Sequence, residues 1–513
     1  QGGCVMPVPD ALHVEYHSVN EAILDRNGGT ITDRVGNTLY DTGYWIDATS
    51  DVIAEMPIVV FQGQHGSDVS DRIAEAGTIR FTLRNDDGCS GGVVGYYSPD
   101  HASVRGHWRL GAKLRVWVEK NGGNHYFAQG RIVTIEPSSG NLNNKTVDVV
   151  ASDWMDVASM ANLPWLMMDS VLSATDDEVI QYILDSLSEK PESTSFDTGT
   201  YVYPYPLSDV IDNKEKITTV FQRLMMSGLG RLYIVGGEAG PEILRYVSLT
   251  NLLSPGAAVA TFDNDFEQLF ASRKAYRRAR SVSVKTTGYS VGAGEYLYDD
   301  VDLIFYSIAA GETVVVIQDF IDRGLVSQGM EVAAFYVSAP SVVGNTMTDF
   351  SGTNISANLT SSFEIGISSI KATVTNNGAV SGYFVFSSLL GNGLFYKSPY
   401  TYKTENAEIP EGHGVDIEWK APYQNSYAKI QEIGDYLMTW LDVDATEVER
   451  LTFTPTLDDE NYLKMENCKP GSMINIIDDV TGISGDYLVV GFELQIWNGG
   501  TLMRETLFLS RTV

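Results

Sequence analysis

The sequence predicts a mainly β fold with additional α+β parts. Short runs alternate apolar and polar residues with a period of two, as strands with one buried face do. Clusters of Asn, Asp and Gly separate these runs and have the composition of tight turns. The chain has 513 residues, of which 48 are glycine and 27 tyrosine, and this composition also favours strands and turns. Its length is enough for about three or four domains of ~150 residues each.

Residues 45–160 hold the clearest strand pattern and are predicted to form a first β-barrel. In the run TIRFTLR, the apolar residues Ile79, Phe81 and Leu83 share one side of a strand, and polar residues occupy the other. Residues 1–44 are predicted only as an N-terminal arm or peripheral strands. Further strands of the barrel are predicted in the runs 114–118, 126–135 and 147–150.

Apolar residues recur at helical spacing after residue 160, and residues 161–249 are predicted to form a small α/β domain. Thr175 and Glu178 have the spacing of a capping box, which predicts a helix over residues 176–188. A second helix is predicted to stop at Gly228, because glycine readily adopts the left-handed conformation that follows a helix end. The strand RLYIV follows it.

Strand-like sequence also surrounds a long insertion. Residues 250–290 and 424–513 are predicted to form a second β-barrel with one helix, over residues 426–441. Residues 291–423 are predicted to be an inserted β-sandwich of roughly immunoglobulin size. Two turns are predicted here, a tight hairpin at Asn-Asn-Gly 376–378 and a turn at DDENY 458–462.

The charge of the chain limits its partners. The formal net charge is -31, from 66 acidic and 35 basic residues, which disfavours general binding to nucleic acid and to anionic membranes. Solubility is one explanation of the acidic excess, and an acidic channel wall that DNA does not adhere to is another. The single dense basic run is predicted to be a solvated face or an intersubunit surface rather than a nucleic-acid site; it comprises Arg273, Lys274, Arg277, Arg278 and Arg280.

Histidines and cysteines do not form a recognisable metal site. His13 and His17 are four residues apart but lack the HExxH pattern of zinc proteases. His101 and His107 lie in a turn-like segment. The three cysteines are far apart and odd in number, which predicts reduced thiols at Cys4, Cys89 and Cys468.

Other catalytic signatures are lacking as well. Acidic pairs such as those at 176–177, 458–459 and 478–479 arise by chance and in turns in a chain with 66 acidic residues, and glycoside hydrolysis requires a spatial separation that sequence does not give. VGGEAG at 235–240 lies between two strands, which predicts a hairpin turn rather than a nucleotide loop. The chain is therefore predicted not to be an enzyme and to have no catalytic residues, no metal site and no cofactor.

Several motifs, taken in their order along the chain, resemble one family. They are WIDATSDV, DRIAEAGTIRFTLRN, GYYSP, FAQGRIVTIEP, ASDWMDVA, FDNDFEQLFASR, ATVTNNG, APYQNS, PGSMINI, YLVVGFELQIW and LFLSR. Together they cover residues 45–513 and resemble the tail-hub proteins of long-tailed bacteriophages, which are also called baseplate-hub, minor tail or tail-tip proteins.

The resemblance implies two tail-tube-like β-barrels per subunit and a homotrimer. Such a trimer forms a pseudo-sixfold ring that joins the tail tube to the tail tip. The implied partners are a distal tail or tail-tube protein, the tape-measure protein and a tail-tip fibre protein. Viral DNA would pass without specific binding, and no membrane insertion is expected. The implied location is the tail tip of the virion, after assembly in the host cytoplasm.

An alternative function is host attachment through the inserted sandwich. Exposed aromatic side chains could bind a surface carbohydrate, whereas buried ones would belong to the core of the sandwich. The candidate residues are Tyr383, Phe384, Phe395, Tyr396, Tyr400 and Tyr402.

Overall fold

The computed structural model describes residues 9, 11–18, 43–66, 70–120, 122–139, 145–166, 172–208, 215–236, 242–254, 256–273, 278–291, 295–298, 304–319, 333–337, 340–367, 369–386, 389–397, 399–410, 413–441 and 446–511. Strands are far more frequent than helices in these residues, so the prediction of a mainly β protein is confirmed.

Six α-helices lie in the described residues. They are α1 (Trp154–Met160), α2 (Asp176–Ser186), α3 (Ile217–Gly228), α4 (Leu249–Leu253), α5 (Tyr427–Leu441) and α6 (Asp459–Asn467).

The strands fall into an amino-terminal and a carboxy-terminal group. The first group is β1 (Ala11–His17), β2 (Trp45–Asp47), β3 (Ile58–Gly63), β4 (Thr78–Arg84), β5 (Lys113–Lys120), β6 (Gly123–Ser138), β7 (Thr146–Ser152), β8 (Ala174–Thr175), β9 (Ser193–Phe196), β10 (Val202–Tyr203), β11 (Arg231–Gly236), β12 (Glu242–Val247), β13 (Ala260–Asp263), β14 (Gln268–Ser272) and β15 (Ala279–Lys285). The second group is β16 (Gly288–Val291), β17 (Glu295–Tyr298), β18 (Tyr306–Ile308), β19 (Thr313–Asp319), β20 (Ala333–Val337), β21 (Val342–Asn345), β22 (Leu359–Ile365), β23 (Ser369–Asn376), β24 (Gly382–Phe386), β25 (Leu389–Lys397), β26 (Thr401–Glu405), β27 (Val415–Lys420), β28 (Glu447–Phe453), β29 (Met473–Asp478), β30 (Ile483–Trp497) and β31 (Leu502–Arg511).

One sheet of thirteen strands dominates the described part of the chain. Its first half has the order β3-β4-β7-β6-β5-β1-β2, and its second half has the order β14-β28-β31-β30-β29-β13. The antiparallel pairing of β3 with β30 joins the halves into one sheet. Among the described strands no sheet closes on itself, so the closure of the two predicted barrels stays a prediction.

The two halves of this sheet share one apolar core. Ile79, Phe81 and Leu83 are buried in it as predicted, together with Leu494 and Leu507 from the carboxy-terminal strands. Strand β1, from the predicted N-terminal arm, contributes to the same core and pairs with β5. The described residues 11–17 are thus an integral strand of the first half.

A second core lies between α2, α3 and the sheet β11-β12-β9. The predicted capping box begins α2, because the backbone N–H of Thr175 donates to Glu178 Oε2 at 2.9 Å. The left-handed residue after α3 is Leu229, with φ of 58°, and not Gly228 as predicted. Gly228 is the last helical residue, and a β-carbon there would lie 2.5 Å from Asp176 Oδ1. The glycine is therefore needed for close packing and not for a turn.

Helix α5 packs mainly on this second core, and its Trp440 also donates to the carbonyl of Arg511 in the large sheet at 3.3 Å. Its buried residues Ile430, Ile433 and Leu437 belong to that core. Strand β15 pairs with both β26 and β27, and this small sheet packs against α5. Trp419 of β27 is buried there, and its indole N–H donates to the carbonyl of Met226 at 2.8 Å.

The predicted hairpin at residues 376–378 is not formed. Strand β23 pairs with β19 and β22, whereas β24 pairs with β18 and β21. Residues 377–381 therefore connect two different sheets whose side chains share one small core. Asn376 fixes this crossing, because its side-chain amide donates to the carbonyls of Ala309 and Val380 at 3.1 and 2.9 Å.

The segment predicted as a turn at residues 458–462 begins a helix. Asp458 Oδ1 accepts a hydrogen bond from the backbone N–H of Asn461 at 2.7 Å and so caps α6. Tyr462 and Met465, three residues apart, are buried on one face. The Asp-rich sequence thus supplies a helix cap.

Candidate functional site: the seam of the large sheet and the cavity beside it

The two halves of the large sheet repeat one order of strands. The order β3-β4-β7-β6-β5-β1 in the first half corresponds to β14-β28-β31-β30-β29-β13 in the second. All neighbours in these two series are antiparallel, except that β13 runs parallel to β29. In each half a long strand, β6 or β30, is the middle of a three-stranded meander. The chain therefore contains two structurally similar units.

A bulge in each long strand fixes how the two units correspond. The register of β6 against β7 shifts between Ile132 and Thr134, and the register of β30 against β31 shifts between Val489 and Gly491. Val133 and Val490 are thus the extra residues, and bulges of this kind locally bend a strand. Thr134 and Gly491 are therefore equivalent positions.

The seam is the pairing of β3 with β30, in which Ile58 lies opposite Ile496 and Gly63 opposite Gly491. Beyond the last pair, the backbone N–H of Gln64 donates to the carbonyl of Val490 at 2.9 Å. A β-carbon on Gly491 would lie 2.6 Å from the backbone nitrogen of Gln64, so the two strands approach too closely here for a side chain. The seam thus depends on its glycines.

A cavity of about 1250 Å³ lies beside the seam, between the large sheet and the sheet β11-β12-β9. Arg231, from β11, reaches across it: its guanidinium donates to Gln64 Oε1 at 2.9 Å and to Ser510 Oγ at 3.4 Å. Five cationic residues line the cavity, against the carboxylates of Asp197 and Glu466; they are Arg72, Arg231, Arg245, Lys469 and Arg511. A concentration of positive charge is unusual in a chain with a net charge of -31.

Arg72 holds the wall of the cavity to α5 and β27. Its guanidinium carbon lies 5.4 Å from the ring centre of Trp419 and 5.5 Å from that of Trp440, within the range of cation–π contacts. It also donates to the carbonyl of Leu229 at 3.0 Å. Burial, with a contribution from the positive charge of Arg231, lowers the pKa of Arg72 to about 9.

Two carboxyl groups lie at the start of α1, where the helix joins the large sheet to the second core. The backbone N–H of Trp154 donates to Glu242 Oε2 at 2.8 Å, and that of Met155 donates to Asp153 Oδ1 at 3.0 Å. Burial raises the pKa of Glu242 to about 7. Burial, together with the charge of Glu242, raises the pKa of Asp153 well above its usual range.

A third buried carboxyl group, that of Asp176, lies at the start of α2. The phenols of Tyr203 and Tyr246 donate to its two oxygens at 2.7 and 3.0 Å. Burial raises the pKa of Asp176 to about 7, although both hydrogen bonds act in the opposite direction. These acidic groups hold elements together, and perturbed pKa values arise in structural networks as well as in active sites.

The four histidines singled out in the sequence have different surroundings. His13 and His17 are on strand β1, where His13 stacks on Trp117 at 3.8 Å and His17 contacts Trp45 edge-on at 4.9 Å. His101 is exposed, and His107 contacts Tyr44 at 6.4 Å. Among the described residues, no group of three or more His, Cys, Asp or Glu could hold a metal ion.

The acidic pairs and the cysteines have local roles. Asp177 Oδ1 accepts from the backbone N–H of Gly199 at 2.9 Å, and Asp478 Oδ2 accepts from that of Thr481 at 2.9 Å. Cys89 and Cys468 are buried thiols, and Cys4 lies outside the described residues. None of these pairs joins the cavity lining.

The predicted basic run and the aromatic residues of the insertion are only partly described. Arg280 forms an ion pair with Asp416, whereas Lys274 and Arg277 lie outside the described residues. Phe384 is in the core of the insertion, and Tyr402 donates to Asp435 of α5 at 2.6 Å. Tyr400 is exposed and Tyr383 is half-buried; the side chains of Phe395 and Tyr396 are outside the described set.

Sequence reasoning missed the seam and the cavity. The cations of the cavity come from four separate regions of the sequence, and no local motif unites them. In the sequence, Val490 and Gly491 belong to a strand-like run, and nothing in that run indicates a bulge. No helix in the described part of the chain is long and apolar enough to cross a membrane.

Comparison with known proteins gives likenesses of structure only. No known family matches the sequence, and no curated protein does. The chain is similar to a tail protein from Neisseria meningitidis MC58, with 9% identity, a TM-score of 0.46 and coverage of 98% of this chain and 96% of that one. It is similar to the 43 kDa tail protein of prophage MuSo2 from Shewanella oneidensis, with 8% identity, a TM-score of 0.45 and coverage of 98% of each chain. It is also similar to prophage tail protein gp18 from Listeria monocytogenes EGD-e, with 9% identity, a TM-score of 0.41 and coverage of 97% and 94%.

Proposed function

We propose that this chain is a structural protein of a bacteriophage tail. More specifically, it would be a tail-hub subunit, three copies of which form a ring that joins the tail tube to the tail tip and lets DNA pass. The repeated strand order of the large sheet is the observation that carries this proposal. Three copies of a chain with two similar units present six similar units around one axis. Such a ring would match a sixfold tube on one side and a threefold tip on the other.

The ordered motifs in the sequence support the same function. Several of them lie in elements of the repeated sheet, including TIRFTLR in β4, GRIVTIEP in β6 and YLVVGFELQIW in β30. Part of the sequence that the resemblance rests on therefore builds the two similar units.

The charge of the chain suits a channel for DNA. A wall rich in carboxylates repels phosphate groups, so DNA would not adhere during its passage. The acidic excess of 31 charges is large enough to supply such a wall and still keep the outer surface soluble. In this arrangement the basic residues near Arg278 and Arg280 would lie at subunit contacts or on the outside.

The role proposed is structural, with no reaction assigned to any residue. The tube, tape-measure and fibre partners, and the position at the tail tip, belong to the same proposal. Host attachment through the inserted sandwich stays a prediction, since two of its six candidate aromatic residues, Phe384 and Tyr402, make intramolecular contacts.

Native mass spectrometry of the full chain tests the proposal, followed by electron-microscopic projections of the same sample. We expect three times the chain mass of 56.2 kDa and a ring with six similar density units. A stable monomer or dimer, with no ring in projection at any protein concentration, would contradict it.

A further inference from the structure

The repeat predicts a second strand pairing, equivalent to that of β3 with β30, and the described part of the chain does not form it. In the repeated order, β14 corresponds to β3 and β6 corresponds to β30. Strand β3 pairs with β30, whereas β14 pairs only with β28 in the described part of the chain. On the edge of β6 that faces β5, the last described backbone bonds are those between Ile132 and residues 111–112. Residues 133–138 of that edge therefore have no described strand beside them.

The register of this missing pair can be read from the repeat. In the first unit Thr134 pairs with Val150, Val150 with Arg80, and Arg80 with Val59. In the second unit the equivalent path runs through Gly491, Phe508, Arg450 and Phe270. Val59 and Phe270 are thus equivalent.

The partner of Val59 across the seam is Gln495, four residues after Gly491. The residue four after Thr134 is Ser138. Phe270 therefore belongs opposite Ser138, and Ser272 belongs opposite Glu136.

We propose that β14 of one copy of this chain pairs antiparallel with residues 133–138 of β6 in a second copy, with Phe270 opposite Ser138. This proposal rests on the proposed ring and names the contact that would close it. The contact joins different surfaces of the two copies and is therefore head to tail. Head-to-tail contacts close into a ring when the rotation from one copy to the next divides a full turn evenly.

Features of both edges suit a protein partner. An open strand edge is a place where another strand adds, and proteins normally cover or protect such edges. Val133 is 39% exposed on β6 and Phe270 is 36% exposed on β14, so an apolar side chain lies at each edge. Pro137 has no N–H, which removes one bond from the ladder and makes this edge a poor template for arbitrary strands.

Paired cysteines test the contact directly. The variant Phe270→Cys with Ser138→Cys, in a chain that also carries Cys4→Ser, should form disulfide-linked trimers under mild oxidation. Cross-strand pairs have the Cα separation that a disulfide requires, and the native Cys89 and Cys468 are buried. A matched control joins Phe270→Cys with Leu463→Cys, which places the second thiol on an exposed residue of α6.

Mixing two single variants tests the direction of the contact. Phe270→Cys protein mixed with Ser138→Cys protein should give linked dimers and nothing larger, because each copy has one reactive edge. Either single variant alone should remain unlinked. Linkage of one single variant to itself would indicate a symmetric contact and overturn the proposal.

The outcomes separate this inference from the proposed function. Trimers in native mass measurements without a Phe270–Ser138 cross-link would overturn the strand pairing and leave the ring in place. Monomers without a cross-link would contradict both. Cross-linked chains of more than three copies would support the pairing and contradict the closed trimer.

A second inference comes independently from the cavity beside the seam. Arg231, Arg245 and Arg511 line it, and none of these three forms an ion pair with a carboxylate in the described residues, whereas Lys469 interacts with the buried carboxyl group of Glu505. Arg231 is held in place by Gln64 and Ser510, so its charge is fixed at the cavity wall. The carboxyl groups of Asp197, Glu466 and Glu505 offset only part of the positive charge of the five cations, and excess like charge in a partly buried site is costly unless more opposite charge is bound.

We infer that this cavity binds a carboxylate- or phosphate-bearing ligand. Inorganic phosphate is the probe: calorimetry on the full chain should show saturable binding beyond that of chloride at equal ionic strength. The double variant Arg245→Gln with Arg511→Gln should weaken binding at least tenfold, and the exposed control Arg109→Gln should not. The same weak heat for the native chain and the double variant would overturn the inference, whereas competition by acetate would identify a carboxylate site.

Discussion

Gly63 and Gly491 lie opposite each other in the seam, and neither has space for a β-carbon. A β-carbon on Gly63 would lie 2.5 Å from the Cα of Gly491, and Gly63 also has φ of 94°, which L side chains rarely adopt. The seam is the direct link between the two units, so the closeness of these glycines determines whether the sheet is continuous.

Replacing either glycine by alanine should destabilise the protein. For Gly63→Ala or Gly491→Ala we expect a loss of about 2 kcal/mol or more, because the clash with neighbouring backbone adds to any conformational strain. Thermal unfolding of the purified chain checks this. The control is Gly66→Ala, three residues from Gly63, where a β-carbon meets nothing within 4 Å. An equal effect in all three variants would mean that the seam does not limit stability.

The buried carboxyl group of Asp176 should make stability fall as the pH rises. Its folded pKa is about 7, whereas its ordinary value is 3.8. The folded state therefore holds a proton that the unfolded state has lost between about pH 4 and pH 7. Stability is greatest at the acidic end of this window and is lost as the pH rises through 7, by up to about 1.4 kcal/mol per pH unit.

The variant Asp176→Asn isolates this contribution. An amide of the same shape can still accept a hydrogen bond from Tyr203, but it does not ionise. Urea unfolding at pH 5, 6, 7 and 8 should show the native chain losing stability relative to the variant up to pH 7, and no further change above it. A constant difference across the series would show that Asp176 does not titrate in this window.

The sequence was sufficient for many of the strands and for three of the helices, because their signals are local. Ile79, Phe81 and Leu83 alternate within one strand, and Glu178 is three residues from the cap that it completes. The sequence holds no comparable local signal for which strands pair with each other. The seam joins residues more than 400 positions apart, and nothing near residue 58 indicates residue 496.

The errors have similar physical causes. Alternation on both sides of residues 376–378 predicts two strands but not that they belong to different sheets. The helix α6 had a readable signal, because Asp458 can cap it and Tyr462 and Met465 are three residues apart. The same Asp residues also fit a turn, and only burial of the apolar face decides between the two structures.

Arg72 should be important for the attachment of α5 and β27. The variant Arg72→Met keeps most of the side-chain volume but loses the cation–π contacts with Trp419 and Trp440 and the bond to Leu229. We expect it to lower stability by about 2–4 kcal/mol, measured by thermal unfolding with tryptophan fluorescence. Arg109→Met, at an exposed site, serves as the control. Equal midpoints for the two variants would contradict this role.

The limits of the predicted insertion determine which deletion the fold tolerates. The sequence places the insertion at residues 291–423, but this range contains β26 and β27, both paired with β15. It also contains the buried Trp419. A shorter range is available, because the backbone N–H of Thr286 donates to the carbonyl of Tyr400 at 3.1 Å, so the chain leaves and returns at neighbouring points.

A deletion that keeps β26 and β27 and a deletion that removes them should therefore behave differently. Removing residues 288–398 with a short Gly/Ser bridge should preserve the fold and the proposed trimer, because β15, β26, β27 and α5 keep their contacts with one another and the second core loses only Ile367 and Leu394 of its buried side chains. Removing residues 291–423 should give unfolded or aggregated protein, since β15 loses both neighbouring strands and α3 loses the indole of Trp419 that bonds to Met226. Sizing and circular dichroism compare the two, with an infectivity assay for the soluble one. Loss of folding in both variants would show that the sandwich core around Phe384 is itself required by the rest of the chain, and would contradict its separation at Thr286 and Tyr400.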